Sequence, residues 1–199
     1  MLSRVASSIY WMSRYLERAD NVARFIDVNA RLVLDMGWER DKAQWEPLVR
    51  TTGDEDNFKK RYKTFDEKNV VRFLTFDEKN PNSILACVQH ARENARTVRE
   101  IISSEMWESI NALYHLVEKH SRKRKLDDLQ EFFTLVHNAN HHFAGLIENT
   151  MSHNEAWHFA RMGRLLERAD KTARMLDVKY FLLLPDGEFV DSPHDTVEW

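Results

Sequence analysis

The chain has one cysteine, Cys87, with five glycines and four prolines in 199 residues. A single cysteine excludes an intramolecular disulfide and fits a reducing cytoplasm. So few helix breakers argue for long helices joined by few turns. No apolar run approaches the roughly 20 residues that a membrane-spanning helix needs. The N-terminus, with Arg4 and Arg14 among mixed residues, lacks the unbroken apolar core of a secretory signal. A net charge of −3 gives no case for bulk attraction to nucleic acid. There is no glycine-rich phosphate loop, no Gly-x-Ser-x-Gly and no Cys-x-x-Cys, and nothing calls for a cofactor. Cys87 sits among apolar residues and reads as a small buried hydrophobe rather than a nucleophile.

What the chain does have is a charged stretch that occurs twice. Arg14-Tyr-Leu-Glu17-Arg18-Ala-Asp20-Asn21-Val-Ala-Arg24 returns 150 positions later as Arg164-Leu-Leu-Glu167-Arg168-Ala-Asp170-Lys-Thr-Ala-Arg174. From Met12 to Val28, eleven of seventeen positions match their later counterparts. The charges keep their places, while Tyr15 becomes Leu165, Phe25 becomes Met175 and Ile26 becomes Leu176. A helix selected for packing alone would keep its apolar pattern and let its charges scatter, so these charges are expected to make defined contacts.

Ile9, Met12, Leu16, Ala19, Ala23, Ile26, Ala30 and Val33 recur at steps of three and four, the apolar stripe of an amphipathic helix. Trp11, Tyr15 and Val22 widen it, which predicts more than one packing neighbour. Arg14, Glu17, Asn21 and Arg24 share another face, and Asp20, Arg24, Asp27 and Arg31 form a ladder of alternating charge. Three readings of the charges stand side by side. They form a solvated, salt-bridged surface at roughly 0.2–0.5 kcal/mol per pair. Or the two copies lie together in the fold and Glu17 and Glu167 are held by arginines in a buried network, where removing one partner costs roughly 3–5 kcal/mol. Or arginines grip a carboxylate or phosphate while a glutamate moves a proton.

The expected fold class is all-α: an antiparallel helical bundle with an internal pseudo-repeat of the Glu-Arg helix, one domain over 1–185 and a tail over 186–199. The first helix is expected from Ser3 to about Met36, ended by Gly37. Trp38 to Asp56 reads as an irregular connection with a turn anchored by Trp45, followed by a short helix over Glu55 to Thr64. Thr64-Phe-Asp-Glu-Lys-Asn69 is repeated at 75–80, a spacing that would set both phenylalanines on one helical face. Val70 to Phe76 reads as helical. Ser83 or Asn82 caps a helix reaching Ile102, whose polar side carries Arg92, Glu93, Asn94, Arg96 and Arg99 and is a candidate third contributor to the polar cluster. Ser103-Ser104 marks a break before a helix to about His120. A helix over Leu126 to Met151 follows, and Ser152-x-x-Glu155 reads as the capping box of a last helix to about Leu184.

His137 and His141 are four apart on a helix, as a metal pair would be, but no third and fourth ligands are evident and no metal is assigned. The candidate residues for a ligand site or buried ion network are therefore Arg14, Glu17, Arg18, Asn21, Arg24, Arg92, Asn94, Arg96, Arg164, Glu167, Arg168, Asp170 and Arg174.

Taken together, several stretches resemble the alpha-E family of bacterial helical proteins, named for its Glu-Arg motif. They include Ser3-Arg4-Val5-Ala6, Tyr10-Trp11, Arg14 to Ala19, Asn80-Pro81-Asn82-Ser83-Ile84 and Ala91 to Arg96. Asn21, Arg24, Trp45 with Pro47-Leu48, Arg99, Trp107-Glu108 with Asn111, Thr150-Met151, Trp157, Phe159 and Gly163 to Asp170 complete the likeness, which covers nearly the whole chain. The resemblance implies a setting beside ATP-grasp ligases and transglutaminase-like peptidases, in peptide-bond synthesis or tagging outside the ribosome, without implying the chain's own activity. The expected function is thus an accessory or interaction protein for such a partner. The alternative is an enzyme or small-ligand protein using the Arg/Glu cluster, and self-association is left open. Family members often run on with a further helical block after the second Glu-Arg motif, so a groove which that block would fill is expected to be open to a partner here.

Overall fold

Helix α1 takes up thirty-four residues, Ser3–Met36, and three of the four other long helices pack directly against it. The computed structural model describes residues 1–36, 41–123 and 129–183, with side chains described outside 32–44 and 177–183. The expected stop at Gly37 and the tail over 186–199 lie outside these. Ile9, Met12, Leu16, Ala19, Val22, Ala23 and Ile26 are all buried at the centre of one continuous core. Ala30 packs at its edge.

Four helices form an up-down-up-down bundle: α1, α5 (Ile84–Thr97), α6 (Ser104–Ser121) and α7 (Leu129–Thr150). Alternation follows from the contacts between neighbours. Ser8, Tyr15 and Arg18 of α1 meet Thr97, His90 and Asn82 in falling order. Arg92 and Arg99 meet Asn111 and Trp107, and Ser103, Ser109 and His120 meet Thr150, His142 and Phe132. Three reversals reach α7, and a fourth brings α8 (Glu155–Leu183) back alongside α1 and parallel to it. Met1 meets Glu155, Tyr10 meets Gly163 and Arg18 meets Glu167. The offset stays near 150, so equivalent positions of the two Glu-Arg segments sit at the same height. No strand occurs among the described residues.

Several local expectations are corrected. The stretch read as irregular is helix α2 (Asp41–Thr52), with Pro47 inside it. An internal proline costs about 3 kcal/mol, but Trp45, Leu48 and Val49 are buried on this helix, and each such side chain contributes roughly 1.5–3 kcal/mol. Tertiary burial therefore overrides the breaker. Gly53 at φ +78 closes α2: its N–H reaches the Arg50 carbonyl while Asp54 N–H reaches that of Val49. This left-handed stop carries the chain around so that Asp54 faces the core junction. Helix α3 spans only Glu55–Lys59 and α4 runs Glu67–Phe76.

The duplicated hexapeptide does not place its phenylalanines on one helix. Phe65 precedes α4 and stacks on Phe58, whereas Phe76 ends α4 and meets Phe132. Asp66 caps α4 through the Asn69 N–H, but its copy Asp77 accepts from Arg61 and Tyr62. Helix α5 stops at Thr97 rather than Ile102, and Ser83 and Ser103 cap α5 and α6. The Ser152/Glu155 capping box does not form. The Asn154 side chain takes the Ala156 N–H instead, and Glu155 accepts from the N-terminal ammonium.

Candidate functional site

The two Glu-Arg motifs meet where α1 and α8 run side by side. Gly163 makes the close approach possible: a Cβ there would lie 2.3 Å from the Tyr10 carbonyl oxygen. Just above this contact Glu167 and Glu17 are buried, at 0% and 1% exposure. A buried carboxylate needs charge and hydrogen bonds together, and each receives both from the opposite helix. Arg18 grips Glu167 with Nε–Oε1 at 2.7 Å and Nη2–Oε2 at 3.0 Å. Arg168 grips Glu17 in the same way, with Nε–Oε1 at 2.7 Å and Nη2–Oε2 at 3.2 Å. A parallel, in-register pair requires this reciprocity, because whatever position 17 meets on 168, position 167 meets on 18. It accounts for the recurrence of the Glu-Arg pair itself at both places.

The two halves then diverge. Arg14 adds a third bond to Glu167, Nε–Oε2 at 2.7 Å, and is steadied by donating to the Tyr10 hydroxyl at 2.6 Å. Its counterpart Arg164 has alanine at position 160 in place of that tyrosine. It turns toward Glu148 of α7, 3.7 Å away, leaving its buried Nε without an acceptor among the described residues. Arg18 also donates through Nη1 to Asn82 Oδ1 at 2.7 Å, and Asn82 donates to the Asp54 carboxylate at 2.9 and 3.1 Å. Lys171, buried to 5% exposure, lies 3.9 Å from Glu167.

These contacts set the protonation states. Burial alone would raise the Glu167 carboxyl, but bonds from Arg18 and Arg14 outweigh it and hold it below the ordinary glutamate value. Burial likewise opposes charge on Arg18, and its bond to Glu167 overcomes that, so its pKa lies above the usual arginine value. Its bond to Glu17 raises Arg168. Desolvation wins at Lys171 and lowers its pKa despite Glu167. Burial pushes the Cys87 thiol up to about 12, with Arg18 pulling slightly the other way, which makes it unreactive as a nucleophile. A carboxyl kept ionised in this way has no proton to donate at neutral pH.

The other candidates fall elsewhere. Arg24 bonds Asp20 at 3.1 Å and His141 at 3.0 Å, while His137 Nδ1 lies 2.5 Å from Asp20 Oδ1. The two histidines that resemble a metal pair in sequence thus lie against an aspartate and an arginine. Among the described residues no group of three or more His, Cys, Asp or Glu gathers as metal ligands do. Burial raises Asp20, but the bonds from His137 and Arg24 dominate and lower its pKa. Asp170 and Arg174 pair within α8 near the surface. Asn21 has a buried Nδ2 with no acceptor among the described residues. Arg92 binds Asn111 at 2.7 Å and lies over the rings of Tyr114 and Trp107, Asn94 donates to the His90 carbonyl, and Arg96 is exposed. These three α5 residues make their contacts away from Glu17 and Glu167.

Sequence reasoning missed Asn82, Asp54 and Lys171 as members of the junction. Asn82 stood out in the sequence only as a cap for the helix that follows it, and Lys171 lies inside the second motif at the position of Asn21, where the change from amide to amine broke the repeat. An all-helical bundle whose first and last long helices are locked by reciprocal Glu-Arg pairs is the class this geometry defines. The chain belongs to the Alpha-E family, whose model, described as a predicted alpha-helical domain with a conserved ER motif, matches residues 1–199. No curated protein and no solved structure matches it.

Proposed function

We propose that this chain is a helical accessory protein that works in the cytoplasm by binding an ATP-grasp ligase or transglutaminase-like partner in a peptide-modification system. What carries the reading is that Glu17 and Glu167, the acids central to the motif, are both buried and committed to arginines of the opposite helix. Charges used this way stabilise a scaffold, and a scaffold acts by presenting surface. The family resemblance supplies the class of partner. Among the described residues no helix is long and apolar enough to cross a membrane. The test is co-purification of the chain with an ATP-grasp or transglutaminase-like protein at high concentration. A stable complex supports the reading, and its absence counts against it.

A second reading, a small-anion site at the same junction, is favoured by one observation. Arg164 Nε and Asn21 Nδ2, one in each copy of the motif, are buried donors without acceptors among the described residues. Glu17→Gln combined with Glu167→Gln separates the two. Lost fold supports the scaffold, whereas an intact fold with lost anion binding supports the site.

A further inference from the structure

Helix α8 carries the α1 apolar stripe a second time, and there it is uncovered. Met162, Leu166, Ala169, Ala173 and Leu176 occupy the positions of Met12, Leu16, Ala19, Ala23 and Ile26. In α1 all five are at most 2% exposed, beneath α5 and α7. In α8 Met162, Leu166 and Leu176 are 41%, 49% and 51% exposed, with Leu165 beside them at 46%. The five stripe positions, 162, 166, 169, 173 and 176, are spaced three and four apart, the seam of a helix-packing surface rather than scattered apolar residues.

The polar end of the stripe is incomplete in the same sense. Arg18 and Arg168 use the same two nitrogens on their glutamates, but Arg18 gives its third, Nη1, to Asn82 in the turn that opens α5. Among the described residues nothing accepts from Nη1 of Arg168, which is 54% exposed against 15% for Arg18. One helix thus displays its motif together with a cover, and the other displays the same motif without one.

We infer that the exposed face of α8 is a docking site for an amphipathic helix of the α5 kind, supplied by a partner polypeptide. That helix has small and branched apolar residues at three-four spacing behind an asparagine-bearing N-terminal turn, and the asparagine side-chain oxygen takes the free Nη1 of Arg168. The inference rests on the interaction-protein reading and names its contact surface. Complementarity is set at both ends: apolar seam against apolar seam, and a guanidinium donor against an amide acceptor.

The probe is a synthetic peptide of residues 80–102 of this sequence carrying Gln89→Lys, whose amine closes a helix-holding lactam on the Glu93 carboxyl with loss of water; both positions are exposed in α5. It is titrated calorimetrically into the full chain under reducing conditions. Saturable one-to-one binding is expected, at least tenfold weaker with Leu166→Glu in the chain and several-fold weaker with Asn82→Ala in the peptide. Absence of saturation at millimolar peptide, or binding insensitive to Leu166→Glu, overturns the inference. So does a dimer of the chain that Leu166→Glu dissociates, which assigns the face to a second copy. Binding that emerges only after deletion of residues 186–199 assigns it to the chain's own end and overturns it too. A peptide that binds when no ligase co-purifies retains the docking face and removes the ligase. A ligase complex indifferent to Leu166→Glu does the reverse.

Discussion

Arg18 and Glu167, 149 residues apart in the chain, meet through two parallel bonds of 2.7 and 3.0 Å. A guanidinium fork matched to a carboxylate in this way is among the stronger polar contacts a protein makes. Its acid is fully buried, so the pair lies on the side of the ledger where breaking it matters more than having it. Glu167→Gln leaves Arg14, Arg18 and Lys171 facing a neutral amide and is expected to lower stability by roughly 3–5 kcal/mol. Arg168→Ala removes the partner of Glu17 from a half-exposed position, with an expected loss of about 1.5–3 kcal/mol. Urea unfolding of the two variants should rank them in that order.

Acid should expose the same network. Glu167 and Asp20 both have folded pKa values lowered from ordinary values of 4.5 and 3.8. A depressed carboxyl contributes stability that is complete above its unfolded pKa and is lost as pH falls through the folded one. The urea midpoint is therefore expected to hold from neutral pH down to about 4.5 and then to fall. Glu167→Gln, less stable at neutral pH, should show a shallower acid decline. An equally steep decline would take Glu167 out of the linkage.

The α1–α8 contact depends on a missing side chain. An added Cβ at Gly163 would lie 2.3 Å from a backbone oxygen of Tyr10, and neither atom is the end of a flexible group. The helices must separate to admit it, which also lengthens the Glu-Arg bonds one turn on. Gly163→Ala gains helix propensity of about 1 kcal/mol, but overpacking of roughly 1–3 kcal/mol and weakened ion pairs outweigh the gain. A lowered melting temperature is the expected outcome, and a raised one would mean the helices part freely.

Identical residues at equivalent positions give a matched comparison. Leu16 is 2% exposed and Leu166 is 49% exposed. Leu16→Ala should cost roughly 2–5 kcal/mol by opening a cavity, whereas Leu166→Ala should stay within about 0.5 kcal/mol. Chemical denaturation of the two variants measures the difference. Equal losses would show that the α8 face is covered in solution.

The sequence by itself determined the helical class, the long first helix and its inward stripe, and it marked the repeated Glu-Arg charges while leaving surface, buried network and ligand site open. Three-four periodicity and serine caps act over a few residues and are written locally. Pairing of the motifs also left a trace, because a reciprocal contact requires the same charges at both places. Tertiary structure alone decided the rest. It made α2 a helix through Pro47, since burial of Trp45 and Val49 depends on residues far along the chain. It brought Asn82 and Asp54 into the junction and sent Arg164 to Glu148, because position 160 lacks the hydroxyl that Tyr10 gives Arg14. It also buried one copy of a stripe and left the other in water, a difference of surroundings that the residues of the stripe cannot encode.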